Sequence, residues 1–117
     1  QTLLFSATFP REVESIAKKH SVKVGVFGHA GDGNMHPTII YPHNDKEAEG
    51  RALKAFNEII ALAQSLGGTA SGEHGIGGLK ISALLNETPE RILKIQKEIK
   101  LILDPNKIFN PGKKFPL

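Results

Sequence analysis

Two glycine-rich segments of this sequence carry the side chains best suited to hold a metal ion and to move a proton. The first segment contains His29 and His36, and the second contains Glu73 and His74 as neighbours. Imidazole nitrogens and carboxylate oxygens are common ligands of catalytic divalent metals, and a set of three leaves coordination positions open for a substrate. Glycine lets the backbone adopt positive φ and approach a ligand closely. These residue types therefore predict a divalent-metal site that both segments supply.

Each of these polar residues also has an ordinary structural interpretation. A histidine in a glycine-rich turn is usually solvated, and Asp32 either orients a histidine ligand or forms an Asx turn. The functional interpretation rests on the pairing, because two histidines share one loop, a Glu-His pair lies in another, and loops carry function disproportionately. We expect His20 and His43, outside both segments, to be solvated. No helix pattern follows residues 28–31, which disfavours a nucleotide phosphate loop.

The composition excludes several kinds of site and partner. The 117 residues include no cysteine, so the chain has no disulfide, thiolate zinc site, cysteine-ligated iron–sulfur cluster or cysteine nucleophile. Lys and Arg number 15 against 12 Asp and Glu, whereas nucleic-acid binding calls for a denser basic stripe with aromatic residues. No apolar run approaches the roughly 20 residues of a transmembrane helix. Because the chain begins at Gln1, we expect it to be a piece of a longer protein.

The hydrophobic pattern predicts an α+β fold, a small antiparallel sheet with helices packed on one face. Strands are predicted at residues 3–6, 22–26 and 35–41, the second from the alternation of its valines. Four helices are predicted, the first from about residue 10 to residue 20. The element order is β-α-β-β-α-α-α.

The boundaries of the other helices follow from their capping residues. Asn44 with Glu47 resembles a capping box that begins a long helix, and Gly67 ends it. Its apolar stripe is predicted to contain Ala52, Phe56, Ile59, Ala63 and Leu66, widened by Leu53 and Ile60. A short helix is predicted at about residues 79–85. Thr88 is predicted to cap the last helix, with Pro89 at its first position. Its apolar stripe consists of Ile92, Ile95, Ile99 and Ile102.

Three motifs occur in an order that is typical of one enzyme family. They are Phe27–His36, Ser71–Gly77 with Lys80, and Asn110–Lys113. From about residue 24 onward the sequence resembles the C-terminal part of the FAD-linked oxidases, which include glycolate oxidase subunits, D-lactate dehydrogenases and D-2-hydroxyglutarate dehydrogenases. The resemblance implies that residues 1–117 form a single domain, a ferredoxin-like cap fragment followed by C-terminal helices.

The same resemblance implies roles for individual residues. A divalent metal, either zinc, manganese or iron, would be held by His29, His36 and Glu73. His74 would be the base that takes the substrate's hydroxyl proton, and Thr38 and Asn110 would lie close to the flavin. FAD itself would be bound mainly by a domain outside this chain. We therefore expect the C-terminal part of a flavin-dependent oxidoreductase acting on a 2-hydroxy acid such as glycolate or D-lactate, inactive as an isolated chain.

The beginning of the sequence allows other interpretations. Residues 1–14 resemble the Ser-Ala-Thr motif region of DEAD-box RNA helicases, so the origin of residues 1–20, including a fusion, is open. Two alternative functions remain, a non-catalytic metal-binding or structural domain and a helicase-derived RNA-binding piece. The expected partners are a small 2-hydroxy acid, the FAD-binding domain of the parent enzyme and further copies of the chain, but no nucleic acid. The expected location is the cytoplasm, with membrane contact only through partner subunits.

Overall fold

The computed structural model of the chain describes residues 9–29 and 31–115. These ranges contain four helices and two strands. The elements are α1 (Phe9–Lys19), β1 (Lys23–His29), β2 (Asn34–Ile40), α2 (Lys46–Ser65), α3 (Ile81–Glu87) and α4 (Glu90–Leu103). The α+β class and the order of these elements agree with the sequence analysis, whereas the strand predicted at residues 3–6 lies outside the described residues. The chain divides into two compact units, Gln1–Gly67 and Gly68–Leu117.

The sheet of the first unit is an antiparallel hairpin of β1 and β2. Its register runs from Lys23 opposite Ile40 to His29 opposite Asn34. Val24 and Val26 of β1 pack against the helices, and the residues between them point the other way, because successive side chains of a strand alternate between faces. The hairpin therefore has an inner, apolar face and an outer face that the helices leave open.

The core of the first unit lies between the inner face of the sheet and helices α1 and α2. Its buried residues are Val13, Ile16, Ala55 and Ile59. Helix α2 turns its small residues inward, and Ala55 is fully buried. The predicted α2 stripe is correct for Ala52 and Ile59, but Leu53 and Leu66 are 49% and 46% exposed. The buried face is thus narrower and richer in alanine than hydrophobicity alone indicates.

Helix α2 begins one residue later than the predicted capping box. Asp45 is the N-cap, with φ −95°, and its carboxylate accepts a hydrogen bond from the Ala48 amide at 2.9 Å. Asn44 has a positive φ of 66° and stands outside the helix. Both residue types favour this position, and the backbone conformation selects the aspartate.

A cluster of charges ties the end of α1 to α2. The Glu58 carboxylate accepts a hydrogen bond from the Lys19 ammonium at 2.8 Å and lies 2.6 Å from the His20 Nε2 atom. The Lys19 and His20 hydrogen bonds hold the pKa of Glu58 below its ordinary value. His20, expected to be solvated, is instead a half-buried structural residue of the first unit.

The second unit is built on α3, α4 and the segment that follows them. Leu84, Leu93 and Phe115 form its small core, and Ile76 packs against it. Pro89 occupies the N-cap of α4, whereas Thr88 ends α3, so the predicted cap is one residue early. Within the described part of the chain, no helix combines the length and apolar character needed to cross a membrane.

The apolar stripe predicted for α4 lies on the surface of the second unit. Ile92 and Ile95 are each 43% exposed, Ile99 is 53% exposed and Ile102 is 78% exposed. Leu93, one residue beside the stripe, is the buried residue of this helix. The second unit covers only one side of α4, because its core holds few residues. A continuous row of isoleucines therefore remains exposed, which we call the α4 stripe.

Candidate functional site

The outer face of the hairpin gathers most of the candidate residues of the first unit. Directly paired residues of an antiparallel sheet project from the same face. The outer face therefore carries four pairs, which are Lys23–Ile40, Gly25–Thr38, Phe27–His36 and His29–Asn34. Both predicted histidine ligands and Thr38 thus share one surface. They share it because side chains alternate between the two faces of a strand, so every second residue of β1 and β2 lies on the outer face.

His29 and His36 lie side by side on this face. Their ring centroids are 5.3 Å apart and their planes are nearly perpendicular. The Phe27 ring lies 5.7 Å from the His36 ring on the other side. His29 is exposed and His36 is half-buried. Two imidazoles so close on an open surface can present nitrogen atoms to one cation, which is the arrangement expected for a pair of metal ligands.

The turn between the strands fixes where β2 begins. The Asp32 carboxylate accepts a hydrogen bond from the Asn34 amide at 3.0 Å, and the Gly33 amide donates to the His29 carbonyl at 3.0 Å. Gly33 has a positive φ of 75°. Of the two interpretations of Asp32, the structure therefore shows the Asx turn. This turn sets the register that brings the two histidines together.

Gly28 is a site residue that the sequence analysis did not single out. It pairs with Met35, between the Phe27–His36 pair and the His29–Asn34 pair. A Cβ atom at Gly28 would stand 2.3 Å from the Asn34 carbonyl oxygen and 3.0 Å from the Met35 Cα atom. Only glycine permits this close approach of the two strands. The sequence shows Gly28 directly before His29, but the need for glycine comes from the backbone of the opposite strand, which the sequence motif does not reveal.

The candidate residues of the second unit lie in the loop before α3. The Glu73 carboxylate is 3.3 Å from the His74 Nε2 atom, and both side chains are about half exposed or more, at 49% and 67%. Ser71 donates a hydrogen bond to the Gly75 carbonyl at 2.8 Å, and Gly75 has a positive φ of 75°. The loop thus holds the predicted ligand and the predicted base in contact, with both heads accessible to water.

Asn110 lies in the segment that follows α4. Its φ is 48°, and its carbonyl accepts a hydrogen bond from the Lys113 amide at 3.2 Å. It lines an open pocket of about 560 Å³ together with three lysines. The lysines are Lys100, Lys113 and Lys114. Asn110 therefore lies at an open pocket of mixed character in the second unit, because Asp104, Phe109 and Phe115 line it as well.

Asp104 organises this segment and was recognised in the sequence only as a helix-ending residue. It is 4% exposed, the one charged residue counted as buried in the described part of the chain. Its carboxylate accepts hydrogen bonds from the Ile108 amide at 2.9 Å and the Phe109 amide at 3.1 Å, and it also pairs with the Lys100 ammonium. One carboxylate thereby joins α4 to the chain that carries Asn110.

We expect Asp104→Asn to destabilise the chain at neutral pH and to lose this effect in acid. The Lys100 hydrogen bond and the two amide hydrogen bonds hold the pKa of the Asp104 carboxyl below its ordinary value. The stabilisation is therefore complete above the ordinary carboxyl pKa of about 3.9 and is lost as pH falls through the lowered folded-state value. Urea unfolding across this range measures it, with exposed Glu98→Gln as control. A difference independent of pH would contradict the assignment.

Comparison with known proteins places the whole arrangement in context. The family model described as FAD linked oxidases, C-terminal domain, matches residues 6–114. The chain is 39% identical to the glycolate oxidase subunit GlcD of Bacillus subtilis, covering 97% of the chain and 26% of that protein. It is 38% identical to a D-lactate dehydrogenase of Archaeoglobus fulgidus, covering 92% of the chain and 23% of that protein. The chain thus spans about a quarter of the length of these relatives.

Proposed function

The chain belongs to the family of FAD-linked oxidase C-terminal domains, and on this basis we propose that it forms the C-terminal part of a flavin-dependent oxidoreductase. The substrate class is a 2-hydroxy acid such as glycolate or D-lactate. The observation that carries the proposal is the His29–His36 pair on the open face of the hairpin, at 5.3 Å between ring centroids. A cation held there would be accessible to a small acid from solvent.

The donor set fits a divalent metal of the zinc, manganese or iron class. His29 and His36 supply two imidazoles from the first unit, and we propose Glu73 of the second unit as the third ligand. Nitrogen and oxygen donors without thiolate suit these metals, and three ligands leave positions for the substrate. A metal ion bound there would lower the pKa of the substrate hydroxyl.

His74 is proposed to be the general base. Its exposed imidazole can receive the hydroxyl proton of the substrate, and the Glu73 carboxylate 3.3 Å away restrains the ring. Thr38, on the outer face, and Asn110, in the lysine-lined pocket, are proposed to contact the flavin. A bound FAD would supply the hydride acceptor for the oxidation of the substrate at C2. Most of the FAD-binding surface would come from the parent polypeptide, so the isolated chain is expected to be inactive.

Metal binding to the chain tests this proposal directly. We expect calorimetric titration with Zn²⁺ or Mn²⁺ to show one binding site. His36→Ala should lower the metal affinity by at least about tenfold, because mutation of a residue that only hydrogen-bonds to a metal ligand already lowers affinity by that much. His43→Ala, which replaces an exposed histidine outside the site, is the control. Equal affinities of the two variants would contradict the ligand assignment.

The α4 stripe is proposed to bring copies of the chain together. Its four isoleucines are between 43% and 78% exposed, and contiguous apolar surfaces of this kind mark interaction sites. We expect light scattering to show concentration-dependent association, and Ile99→Glu to abolish it. Leu53→Glu, which changes an exposed leucine of α2, should leave association unchanged. A monomer at high concentration would contradict the proposal.

The proposed location is the cytoplasm, with membrane contact only through partner subunits.

A further inference from the structure

The loop that carries Glu73 and His74 is attached to the end of α3 by a carboxylate. The Ala70 amide donates a hydrogen bond to the Glu87 carboxylate at 2.8 Å, across a sequence separation of 17 residues. Ala70 is 6% exposed, so its amide has little access to water and needs a partner within the protein. Glu87 thereby fastens the beginning of the loop to the last residue of α3.

The stability of α3 does not explain why a glutamate occupies this position. Glu87 is the last residue of the helix and is exposed. Negative charge is unfavourable at the C-terminal end of a helix, where the free carbonyls already carry partial negative charge. A carboxylate is, however, a stronger acceptor for an amide than a neutral oxygen is. The contact with Ala70 therefore gives this residue type a reason that the helix does not supply.

Two further hydrogen bonds connect the attachment to the candidate ligand and the candidate base. The Ser71 hydroxyl donates to the Gly75 carbonyl at 2.8 Å, so residues 71–75 form a closed turn that contains both of them. On the other side of Ala70, the Thr69 hydroxyl donates to the Ser71 carbonyl at 3.0 Å. Because the turn begins next to Ala70, a displacement of the Ala70 backbone moves both exposed side chains.

The far end of the loop is held by different means. Ile76 packs against the small core of the second unit, and the Gly77 carbonyl accepts a hydrogen bond from the Lys114 amide at 2.7 Å. These attachments use the core and the backbone, so a side-chain substitution cannot release them without disturbing the fold. Glu87 is exposed, and its substitution changes the attachment of the loop while the core stays intact.

We propose that Glu87 is a positioning residue, which acts through Ala70 to place Glu73 as a metal ligand and His74 as the general base. The inference rests on the proposed function. A displacement of roughly 1 Å from the productive geometry costs about 10²-fold in rate, so one hydrogen bond of the loop is enough to govern both side chains.

Amide hydrogen exchange of the chain measures the hydrogen bond itself. We expect the Ala70 amide to exchange faster in Glu87→Ala and in Glu87→Asp, whose carboxylate is one methylene short. It should stay protected in Glu87→Gln, which keeps an acceptor oxygen at the same reach. In nuclear magnetic resonance spectra, the amides of residues 71–75 should shift in the first two variants only. Glu98→Ala, which removes an exposed glutamate of α4, is the control.

Kinetics of the flavin-loaded enzyme that carries this chain measure the consequence. With saturating Zn²⁺ or Mn²⁺ and with glycolate or D-lactate, Glu87→Ala and Glu87→Asp should lower kcat by about 10- to 100-fold, the usual effect of losing a group that orients a metal ligand. Glu87→Gln and Glu98→Ala should keep kcat close to that of the unsubstituted enzyme. A merely structural Glu87 would leave kcat the same in every variant that folds.

The outcomes separate the inference from the function on which it rests. Faster exchange of the Ala70 amide with unchanged kcat overturns the inference and leaves the proposed function standing. A loss in Glu87→Gln as large as in Glu87→Ala also overturns it, because the charge rather than the hydrogen bond would then be responsible. If Glu87→Ala does not fold, Glu87→Asp against Glu87→Gln decides in the same way. An unsubstituted enzyme that oxidises neither acid contradicts the proposed function, and the inference is lost with it.

Discussion

His74→Ala is expected to reduce turnover of the flavin-loaded enzyme by about 10²–10⁴-fold, the usual share of a general base. His74 is 67% exposed in the side chain and lies 3.3 Å from the Glu73 carboxylate, so it can reach a substrate that enters from solvent. A neutral imidazole can accept a proton through its unprotonated ring nitrogen, which is what a general base requires. Reduction of a dye by glycolate or D-lactate measures the loss.

The effect of His74→Ala must be distinguished from the loss of a metal ligand. His36→Ala is expected to act by lowering the affinity for the metal, so an excess of Zn²⁺ or Mn²⁺ should restore part of the variant's activity. The same excess should leave His74→Ala inactive, because the missing group is a base. Near-normal turnover of His74→Ala, with His36→Ala inactive, would show that the proton leaves through another residue or a metal-bound water.

The local arrangement of the site was accessible from the sequence where strand periodicity decides it. Alternation predicts β1, and an antiparallel partner then places His36 and Thr38 on the same face as Phe27. The pairing of His29 with His36 needs the register, and the register depends on the Asx turn of Asp32, which the sequence left as one of two interpretations. Strand spacing therefore predicts that His36, Thr38 and Phe27 share one face. The hydrogen bonds of the turn determine that His29 lies beside His36.

The periodicity of α4 correctly predicts one apolar face, but it does not say whether that face is buried. Four isoleucines at helical spacing define an apolar stripe, but their spacing does not indicate which other element packs against it. In the second unit the core is formed by Leu93 with Leu84 and Phe115, so the stripe stays exposed. Asp104 shows the same limit, because its hydrogen bonds to Ile108 and Phe109 depend on a chain reversal that no periodic pattern encodes.

Gly28→Ala is expected to reduce the free energy of unfolding by about 1–3 kcal/mol, the usual cost of an added carbon where there is no room for it. The obstacle is the backbone of the opposite strand, since the added carbon would stand 2.3 Å from the Asn34 carbonyl oxygen. A flexible side chain could turn away, but a paired strand must shift as a whole. Urea unfolding followed by circular dichroism measures the change.

The same substitution should lower the affinity for the metal. The Gly28–Met35 pair lies between the Phe27–His36 pair and the His29–Asn34 pair. Separating the strands there moves the imidazoles apart without altering either one. Gly25→Ala is the matched control in the same strand, because its added carbon meets nothing within 4 Å, and its stability should change by no more than about 0.5 kcal/mol. If Gly28→Ala matched Gly25→Ala in stability and Zn²⁺ affinity, the close approach of the strands would not be what holds the histidine pair.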